Sequence, residues 1–577
     1  MTHISTIITM HFPNWRSLRH VVLILIISTS AYALYDADVD IGVYVLNDEN
    51  FNSTVYQYTG SHLMRKDRTT GNVTWIVQFY NSWCGHCIKF APTYKALAKK
   101  LQHWKDVVRL GTVDCSYNFN RPLCSRFQIT ATPAIRTFAP YSDSSSLGDL
   151  LEAERTVTGI MHQILDLMEF QSQREELASL PDKPIHEIWL NLPASVDALA
   201  VIVEPLGSYV GKESIMHLHP NLQAITARRA MSTNQKLLNS LKAMNHQPPF
   251  VVFLQRNLIN QQGIIDLNTL RESDPVQAFC EAILRADTEL TNRNKIPRRL
   301  PLGPVYGQTE IEDSRPTILA SASQNPPPSR ADMTDVNAAL IYAISHEVAS
   351  REVVTGRPLD ALRVFVRAVI KYLPVRADIL MAFRQLDTAL LRQSSILGEE
   401  ILQVLRESGL NFDQEKIRWG HCKGSVAHLR GYPCGLWTTF HMLTVRAYET
   451  DPPTQNAIGN DGALSAAMSY IEHLFSCEEC SRHFVKYAES IRRYNVAHLS
   501  NADAALFLWR AHNSANRRLA GDLSEDPAHP KVQWPGSIQC PRCRATSQPV
   551  ASDVWNEQEV LKFLQRYYGR TPVGIVA

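Results

Sequence analysis

Two pairs of cysteines with the spacing Cys-x-x-Cys lie far apart in the chain. The first, Cys84-Gly85-His86-Cys87, follows a run of strand character at residues 74–80. The second, Cys477-Glu478-Glu479-Cys480, closes a run of helical character at residues 464–475. A pair with this spacing can exchange thiols and disulfides with a substrate. Because two such pairs in separate domains can pass electrons from one to the other, the sequence predicts a redox relay.

The first pair is expected at the start of a helix, where the helix dipole and unpaired N–H groups favour a thiolate at Cys84. Cys87 lies one turn further and would be the resolving cysteine. His86 between them should favour the thiolate and make the pair a better oxidant. A structural disulfide or half a zinc site is the alternative, but the string Trp-Cys-Gly-His-Cys at a strand-to-helix junction favours redox chemistry.

The N-terminus has the pattern of a secretory signal peptide, which we assign to residues 1–33. Arg16 and Arg19 precede the apolar run at residues 21–27, and Ala31-Tyr32-Ala33 fits a cleavage site. An uncleaved anchor is the alternative, but the run is short for a membrane span. We therefore expect a chain without a membrane segment after signal cleavage, secreted or resident in the lumen of the endoplasmic reticulum or Golgi.

In an oxidising compartment, the eleven cysteines of the chain are first interpreted as disulfides. Cys115 and Cys124 lie in a polar loop and are expected to form a structural disulfide, whereas Cys280 fits a buried thiol on an apolar helix face. Asn52 and Asn72 begin glycosylation sequons. The net charge of +2 and the scattered Lys and Arg residues argue against a nucleic-acid partner.

The mature length of about 540 residues suggests three or four domains. Residues 38–170 alternate strand and helix signals, as in an α/β domain, and residues 180–290 repeat this rhythm without Cys-x-x-Cys. Residues 291–332 have the Pro- and Ser-rich composition of a linker. Residues 333–410 are interpreted as a helical spacer domain with no catalytic cluster. Residues 415–570 are helical and contain six cysteines.

Aromatic and polar residues in this last region recur at spacings that place them on single helix faces. The pairs and the group with these spacings are Trp437 and His441, Glu479 and His483, and Trp509 with His512, Asn513 and Asn516. One histidine on an apolar face is usually a satisfied core residue, but several helices with this pattern suggest a planar ligand. Beside a Cys-x-x-Cys pair, a flavin is the acceptor that fits.

The C-terminal region strongly resembles the Erv-type FAD sulfhydryl oxidases, and the order of domains resembles a quiescin sulfhydryl oxidase. The matching strings are Arg430-Gly431-Tyr432-Pro433-Cys434, Leu436-Trp437, Cys477-Glu478-Glu479-Cys480, His512-Asn513 and Lys531-Val532-Gln533-Trp534-Pro535. Thr132-Pro133 likewise matches the turn that thioredoxin-like domains place beside their active cysteines. The fold class implied is multidomain, with two α/β thioredoxin-like domains followed by a helical spacer and a helical-bundle Erv-like FAD domain.

The resemblance also implies roles for individual residues. The FAD would be lined by Arg430, Trp437, His441, Glu479, His483, Trp509, His512, Asn513, Asn516, Lys531 and Trp534. Cys480 would be the thiol next to the flavin and Cys477 the interchange thiol. Cys422–Cys434 and Cys540–Cys543 would be structural disulfides. Members of the family differ in the two residues between these cysteines, and the acidic pair Glu478-Glu479 found here is expected to tune the redox potential.

The function implied is a flavin-dependent thiol oxidase that introduces disulfides into reduced or unfolded secretory proteins. Electrons would pass from Cys84–Cys87 to Cys477–Cys480, then to FAD and oxygen, with hydrogen peroxide as product. No metal is expected, and a monomer is favoured because the helical spacer could replace a dimer interface. A flavin-free disulfide isomerase is one alternative, and a zinc-bound scaffold on Cys477, Cys480, Cys540 and Cys543 is another.

Overall fold

The computed structural model describes residues 34–56, 73–171, 174–192, 196, 198–219, 221–256, 263–266, 274–293, 328–459, 462–493, 499–544 and 554–570. The expected signal peptide, Asn72 and most of the expected linker lie outside these residues. Among the described residues, no helix is both long and apolar enough to cross a membrane.

The first α/β unit is a five-stranded sheet with helices and turns on its two faces. Its elements are β1 (Val43–Leu46), a π-helical turn (Asn52–Tyr56), β2 (Thr74–Tyr80), α1 (Gly85–Lys100), β3 (Val108–Asp114), α2 (Arg121–Arg126), β4 (Ala134–Phe138), β5 (Asp149–Leu150) and α3 (Val157–Gln171). The strand order is β1-β3-β2-β4-β5, with β1 and β2 parallel to β3 and with β4 antiparallel to β2.

The central strand β2 is buried along its whole length, which explains its continuous apolar and aromatic sequence. Successive side chains of a strand point to opposite faces. Trp75 and Phe79 accordingly join the aromatic cluster on one face, while Ile76 and Tyr80 face the core that contains Tyr94 of α1. The sheet thereby fixes the end of β2, and with it the start of α1.

The second α/β unit repeats this strand order without a cysteine pair. Its elements are α4 (Ile185–Asn191), β6 (Ala198–Glu204), α5 (Val210–Leu218), β7 (Ile225–Met231), α6 (Gln235–Ser240), β8 (Phe250–Gln255), β9 (Gly263–Asp266) and α7 (Pro275–Arg293). The order β7-β6-β8-β9 corresponds to β3-β2-β4-β5, with β6 parallel to β7 and antiparallel to β8. Cys280 on α7 is buried, as expected, and its thiol donates to the Ser214 carbonyl.

The remaining described chain is mainly helical. Its elements are α8 (Met333–Tyr342), a π-helical turn (Ala343–Val348), β10 (Val353–Thr355), α9 (Gly356–Tyr372), α10 (Ala377–Leu390), β11 (Ser395–Leu397), α11 (Gly398–Glu407), α12 (Gly431–Thr450), α13 (Ala463–His473), α14 (Glu478–Arg493), α15 (Asn501–Leu519) and α16 (Glu557–Tyr568). The long helix α12 packs against α8, α13, α15 and α16, so the expected spacer and the C-terminal bundle share one core.

Residues 333–410 were interpreted as a helical spacer, but the stretch also contains a short antiparallel ladder. β10 pairs with β11, and each strand leads into a glycine at the start of a helix. Gly356 has a φ of +58°, and a Cβ atom at Gly398 would lie 2.4 Å from two backbone oxygens. Glycine is favoured at Gly356 by the left-handed backbone and at Gly398 by the close approach of the backbone. The spacing of apolar residues in the helices does not reveal turns at these two positions.

Candidate active site

The first cysteine pair lies at the N-terminus of α1, with both thiols buried and reduced. Burial tends to raise the pKa of Cys84, but hydrogen bonds from the Cys87 thiol and from the backbone N–H groups of Cys87 and His86 outweigh it. The pKa of Cys84 is therefore lowered. Burial and the bond to Cys84 instead raise the pKa of Cys87. Cys84 is thus suited to attack as a thiolate, and Cys87 to hold its proton.

The second cysteine pair lies at the start of a helix and not at the end of one. α13 ends at His473 and α14 begins at Glu478, and Cys477 and Cys480 are joined in a disulfide. The first helix ends where the N–H groups of Leu474 and Phe475 both donate to the Tyr470 carbonyl, and the backbone of Ser476 then forms hydrogen bonds with other parts of the molecule. The apolar run at residues 464–475 reveals the first helix but not these long-range partners.

The structure brings the two pairs into contact. The N-terminal parts of α1 and α14 meet, and Cys84 Sγ lies 2.7 Å from Cys477 Sγ. Attack on a disulfide sulfur by a thiolate is the elementary step of thiol–disulfide exchange. A reduced pair with a low-pKa thiol therefore faces an oxidised pair across the boundary between the first α/β unit and the helical bundle.

The segment before Cys477 pairs with the first α/β unit as an added strand would. The Thr132 N–H donates to the Ser476 carbonyl at 2.7 Å, and Thr132 and Cys477 form a parallel bridge. The Asn81 side-chain amide donates to Ser476 Oγ, also at 2.7 Å. Backbone hydrogen bonds of this kind give affinity with little dependence on sequence. The same groups could hold an extended substrate segment beside Cys84.

Aromatic residues surround the contact. Trp83 stacks on Phe475 at 5.4 Å and meets Tyr432 edge-on at 5.1 Å between ring centroids. Its indole N–H donates to the Tyr342 hydroxyl at 2.8 Å. Aromatic pairs of this kind, and a hydrogen bond from a buried indole N–H, stabilise a contact beyond the burial of apolar surface and favour one geometry. Trp83 therefore joins the first unit to both the expected spacer and the bundle.

Charged and imidazole groups complete the boundary. Lys89 on α1 forms an ion pair with Asp522, and the rings of His86 and His483 stack at 5.8 Å. Burial lowers the pKa of His86 to about 3, assisted by the charges of Lys89 and His483. His86 is consequently neutral at physiological pH when the units are in contact.

A cavity of about 1370 Å³ opens beside the cysteine contact and runs into the bundle. Seven of the eleven residues expected around FAD line this cavity, together with Cys480: Arg430, Trp437, His483, His512, Asn516, Lys531 and Trp534. Trp437 and His512 are parallel, with ring centroids 4.3 Å apart. Side chains from α12, α14 and α15 thus converge on one space, as their helical spacing predicted.

The other four expected residues lie behind or beside the cavity wall. Trp509 and Asn513 donate to the Trp534 carbonyl, and Asn513 also accepts from the Trp534 N–H. They fix Trp534 and do not line the cavity themselves. His441 is buried against His512, with 3.1 Å between ring nitrogens. Glu479 lies outside the lining, at the first turn of α14, where it pairs with Arg482.

The donor set of the cavity fits a large planar anion such as FAD. Burial lowers the pKa of both Arg430 and Lys531, which line the cavity. Arg430 Nε is buried without a hydrogen-bond partner, as is Nδ1 of His441 behind the cavity wall. A diphosphate would satisfy the cationic groups, and an aromatic ring system would pack on Trp437.

The remaining cysteines of the expected pairs form disulfides in the structure. Cys115 is bonded to Cys124, Cys422 to Cys434 and Cys540 to Cys543. The cysteines that a zinc scaffold would require are therefore paired with each other and not available as thiolates. Asn52 is exposed, as a glycosylation acceptor must be, and accepts from Arg126.

Sequence reasoning missed several residues at the contact between the cysteine pairs. Tyr342 and Glu347 come from the expected spacer, and Glu347 accepts hydrogen bonds from Ser476. Phe475 and Tyr432 supply its aromatic rings. No local signal distinguishes Tyr342 or Glu347 from core residues, because their partners lie far away in the sequence.

Comparisons with known proteins find similar sequences along most of the chain. Family models match residues 42–158 (Thioredoxin), 328–425 (flavin adenine dinucleotide (FAD)-dependent sulfhydryl oxidase) and 434–535 (Erv1 / Alr family). Sulfhydryl oxidase 1 of Cavia porcellus is 30% identical, over 87% of this chain and 78% of the relative. Sulfhydryl oxidase 2 of Homo sapiens is 29% identical, over 88% of this chain and 71% of the relative. The solved sulfhydryl oxidase fragment of human QSOX1 is 33% identical and covers 42% of this chain and 97% of that chain, with a TM-score of 0.38.

Proposed function

The chain belongs to the FAD-dependent sulfhydryl oxidases, and we propose that its two cysteine pairs act in sequence. The family reaction oxidises thiols to disulfides with FAD as cofactor and oxygen as electron acceptor, producing hydrogen peroxide. In our assignment, Cys84–Cys87 takes electrons from the substrate, and Cys477–Cys480 takes them from Cys84–Cys87. The observation that supports this order best is the 2.7 Å separation of Cys84 Sγ and Cys477 Sγ.

The substrate step uses the oxidised form of the first pair. A substrate thiolate attacks Cys84, the bond between Cys84 and Cys87 breaks, and Cys87 leaves as a thiolate that takes up a proton. A second substrate thiolate then attacks the substrate sulfur of the mixed disulfide. The substrate leaves with a disulfide, and Cys84 leaves as the low-pKa thiolate. Thr132 and Asn81 would orient the substrate segment as they orient Ser476.

The transfer between the pairs uses the arrangement seen in the structure. The Cys84 thiolate attacks Cys477, so that a Cys84–Cys477 bond forms and Cys480 leaves as a thiolate. Cys87 then gives up its proton and attacks Cys84. The Cys84–Cys87 disulfide forms again, and Cys477 leaves with two electrons now residing on the second pair. Each bond formed replaces one bond broken, so the exchange can be nearly level in free energy.

The cavity residues would hold the cofactor beside Cys480. Arg430 and Lys531 would bind its diphosphate, and Trp437 would pack on its rings, with His441, Trp509 and Asn513 supporting the wall. When bound, FAD supplies a two-electron acceptor that passes the electrons on to oxygen. Cys84 and Cys480 both line the cavity, but Cys480 belongs to the pair on α14, which also supplies His483 to the wall, so we assign electron delivery to Cys480.

We assign the substrates to reduced or unfolded proteins of the secretory pathway, with the chain secreted or in its lumen. The signal pattern of residues 1–33, the glycosylation sequons and the disulfides outside the redox pairs support this assignment. We also propose the domain limits 38–170, 180–290, 333–410 and 415–570, and a monomer. The shared core of the spacer and the bundle supports the monomer, because it covers one side of the bundle.

A spectroscopic titration tests the function. The purified protein should be yellow, and dithiothreitol should bleach its flavin absorbance, with hydrogen peroxide appearing as oxygen restores the colour. Reduced ribonuclease should be oxidised with the same peroxide yield for each disulfide formed. A folded but colourless protein that rearranges disulfides without making peroxide would instead identify a flavin-free isomerase.

A further inference from the structure

A single buried carboxylate connects the helical spacer to the exchange between the two cysteine pairs. Glu347 is 5% exposed and comes from the π-helical turn after α8. Its Oε2 accepts from the Ser476 N–H at 2.9 Å, and its Oε1 accepts from Ser476 Oγ at 2.7 Å. Both oxygens of one carboxylate are thus directed at the residue that precedes the interchange cysteine.

Ser476 receives its other hydrogen bonds from the first α/β unit. Its carbonyl accepts from the Thr132 N–H, and its hydroxyl oxygen accepts from Asn81. Every polar group of Ser476 is therefore engaged, half by the carboxylate and half by the unit that carries Cys84. The position of Cys477 follows from these bonds, because it is the next residue in the chain.

Little water can reach the Glu347 carboxylate, so its negative charge is stabilised mainly by the hydrogen bonds from Ser476. A cavity of about 20 Å³ beside Glu347, Thr132 and Ser476 leaves room for no more than about one water molecule. Burial raises the pKa of Glu347 to about 7, while the two bonds from Ser476 and the charge of Arg351 oppose this shift. The phenol groups that interact with it are Tyr342, Tyr432 and Tyr470.

We propose that Glu347 is a positioning residue for electron transfer between the pairs: its carboxylate holds Ser476 so that Cys477 meets Cys84. This inference rests on the proposed order of the cysteine pairs. Residues 333–410, the helical spacer, contain no cysteine. Through Glu347 this spacer would nevertheless take part in the reaction, because it aligns the sulfurs of Cys84 and Cys477. Electron entry directly at Cys477–Cys480 from a small dithiol does not require this alignment.

The test compares two reductants in rapid mixing while flavin absorbance is followed. Reduced ribonuclease delivers electrons through Cys84, whereas dithiothreitol at high concentration reduces Cys477–Cys480 directly. In Glu347→Gln, which keeps the size but removes the charge, flavin reduction by ribonuclease should slow about 10- to 100-fold, as expected for loss of hydrogen bonds to a charged group. Reduction by dithiothreitol should stay within twofold of the wild-type rate, and Glu347→Asp should recover part of the loss with ribonuclease.

Glu399→Gln is the matched control, because it changes an exposed carboxylate of the same helical spacer. Its rates of flavin reduction should equal those of the wild type with both reductants.

The pH profile separates positioning by the charged carboxylate from a merely structural role. The protonated carboxyl group resembles the Gln amide, so the ratio of wild-type to Glu347→Gln rates with ribonuclease should fall towards one as pH drops from 8 to 6. A ratio that does not vary with pH, equal slowing with both reductants, or less than twofold slowing with ribonuclease would overturn the proposal. If Glu347→Gln does not fold, Ser476→Ala removes the hydroxyl bond to Glu347 together with the bond from Asn81, and flavin reduction by ribonuclease alone should slow at least about fivefold. If Ser476→Ala slowed flavin reduction by the same factor with both reductants, the proposal would be overturned as well. Failure of dithiothreitol to bleach the wild-type flavin would instead refute the proposed function.

Discussion

The hydrogen bond between Trp83 and Tyr342 gives a quantitative prediction for the contact between the cysteine pairs. Tyr342→Phe removes the hydroxyl that accepts from the Trp83 indole at 2.8 Å and preserves the ring that packs on Tyr432. Trp83 is 9% exposed when the two cysteine pairs are in contact, as in the structure, so its N–H would be left buried without its acceptor. This costs about 1–3 kcal/mol, which corresponds to a decrease of about 5- to 150-fold in the equilibrium constant for bringing the two cysteine pairs into contact.

Flavin reduction in rapid mixing measures this loss. Tyr342→Phe should slow reduction by reduced ribonuclease within that range and leave reduction by dithiothreitol unchanged. Tyr372→Phe is the matched control. The Tyr372 hydroxyl, at the C-terminal end of α9, donates to Asp451 and not to a residue of the cysteine contact. Trp83→Phe combined with Tyr342→Phe should cost less than the sum of the single changes, because both remove the same bond. Additive effects, or equal slowing with both reductants, would refute the reasoning.

Three further predictions follow from the assigned roles. Cys480→Ser should abolish oxygen consumption with every substrate, whereas Cys84→Ser should lose activity on unfolded proteins and retain slow turnover of dithiothreitol; protein oxidation at the normal rate by Cys84→Ser would contradict the relay. Shortening residues 300–328, in the stretch predicted to be a linker, should slow turnover when electrons enter at Cys84, because a flexible chain of about forty residues would have a span of roughly 35 Å and a shorter one would restrict movement of the two pairs; equal slowing with dithiothreitol would contradict this. Burial lowers the pKa of His441 to about 3 and that of His346 to about 4. Because unfolded histidines bind protons below about pH 6.5, thermal unfolding should show a stability loss on the order of 2 kcal/mol per histidine between pH 6.5 and 5, and His441→Phe should reduce the pH dependence.

The first redox centre could be predicted from the sequence because its determinants are local. The buried strand β2, the cysteine at its end and the helix that follows occupy one continuous stretch of chain. The thiolate at Cys84 depends on neighbours at Cys87 and His86, which the spacing already places on the first turn. The repeated strand order of the second α/β unit was predictable for the same reason, since alternating strand and helix signals mark it.

Of the eleven residues expected around FAD, seven line one cavity in the structure and four do not. Helical spacing groups Trp437 with His441 on α12 and Trp509 with His512 on α15, and in the structure Trp437 and His512 line the cavity. Helical periodicity does not show that Trp509 and Asn513 bond to the backbone of Trp534. That distinction depends on the path of a loop that packs over α15, which no local pattern reveals.

The contact between the cysteine pairs was the least predictable part. Tyr342 and Glu347 have the appearance of core residues in a helical segment without cysteines, and the sequence assigned that segment to packing alone. Their partners, Trp83 and Ser476, lie in other parts of the fold, so only the tertiary structure brings them together. The start of α14 at Glu478 was missed for the same reason, because Ser476 bonds to these distant groups.

Trapping the mixed disulfide between the two pairs tests the relay most directly. In a protein carrying both Cys87→Ser and Cys480→Ser, Cys84 and Cys477 are left without their own partners. After mild oxidation, peptide mass spectrometry should find Cys84 bonded to Cys477 within a single chain. Free thiols at both positions, or bonds only between separate chains, would contradict electron transfer between the pairs.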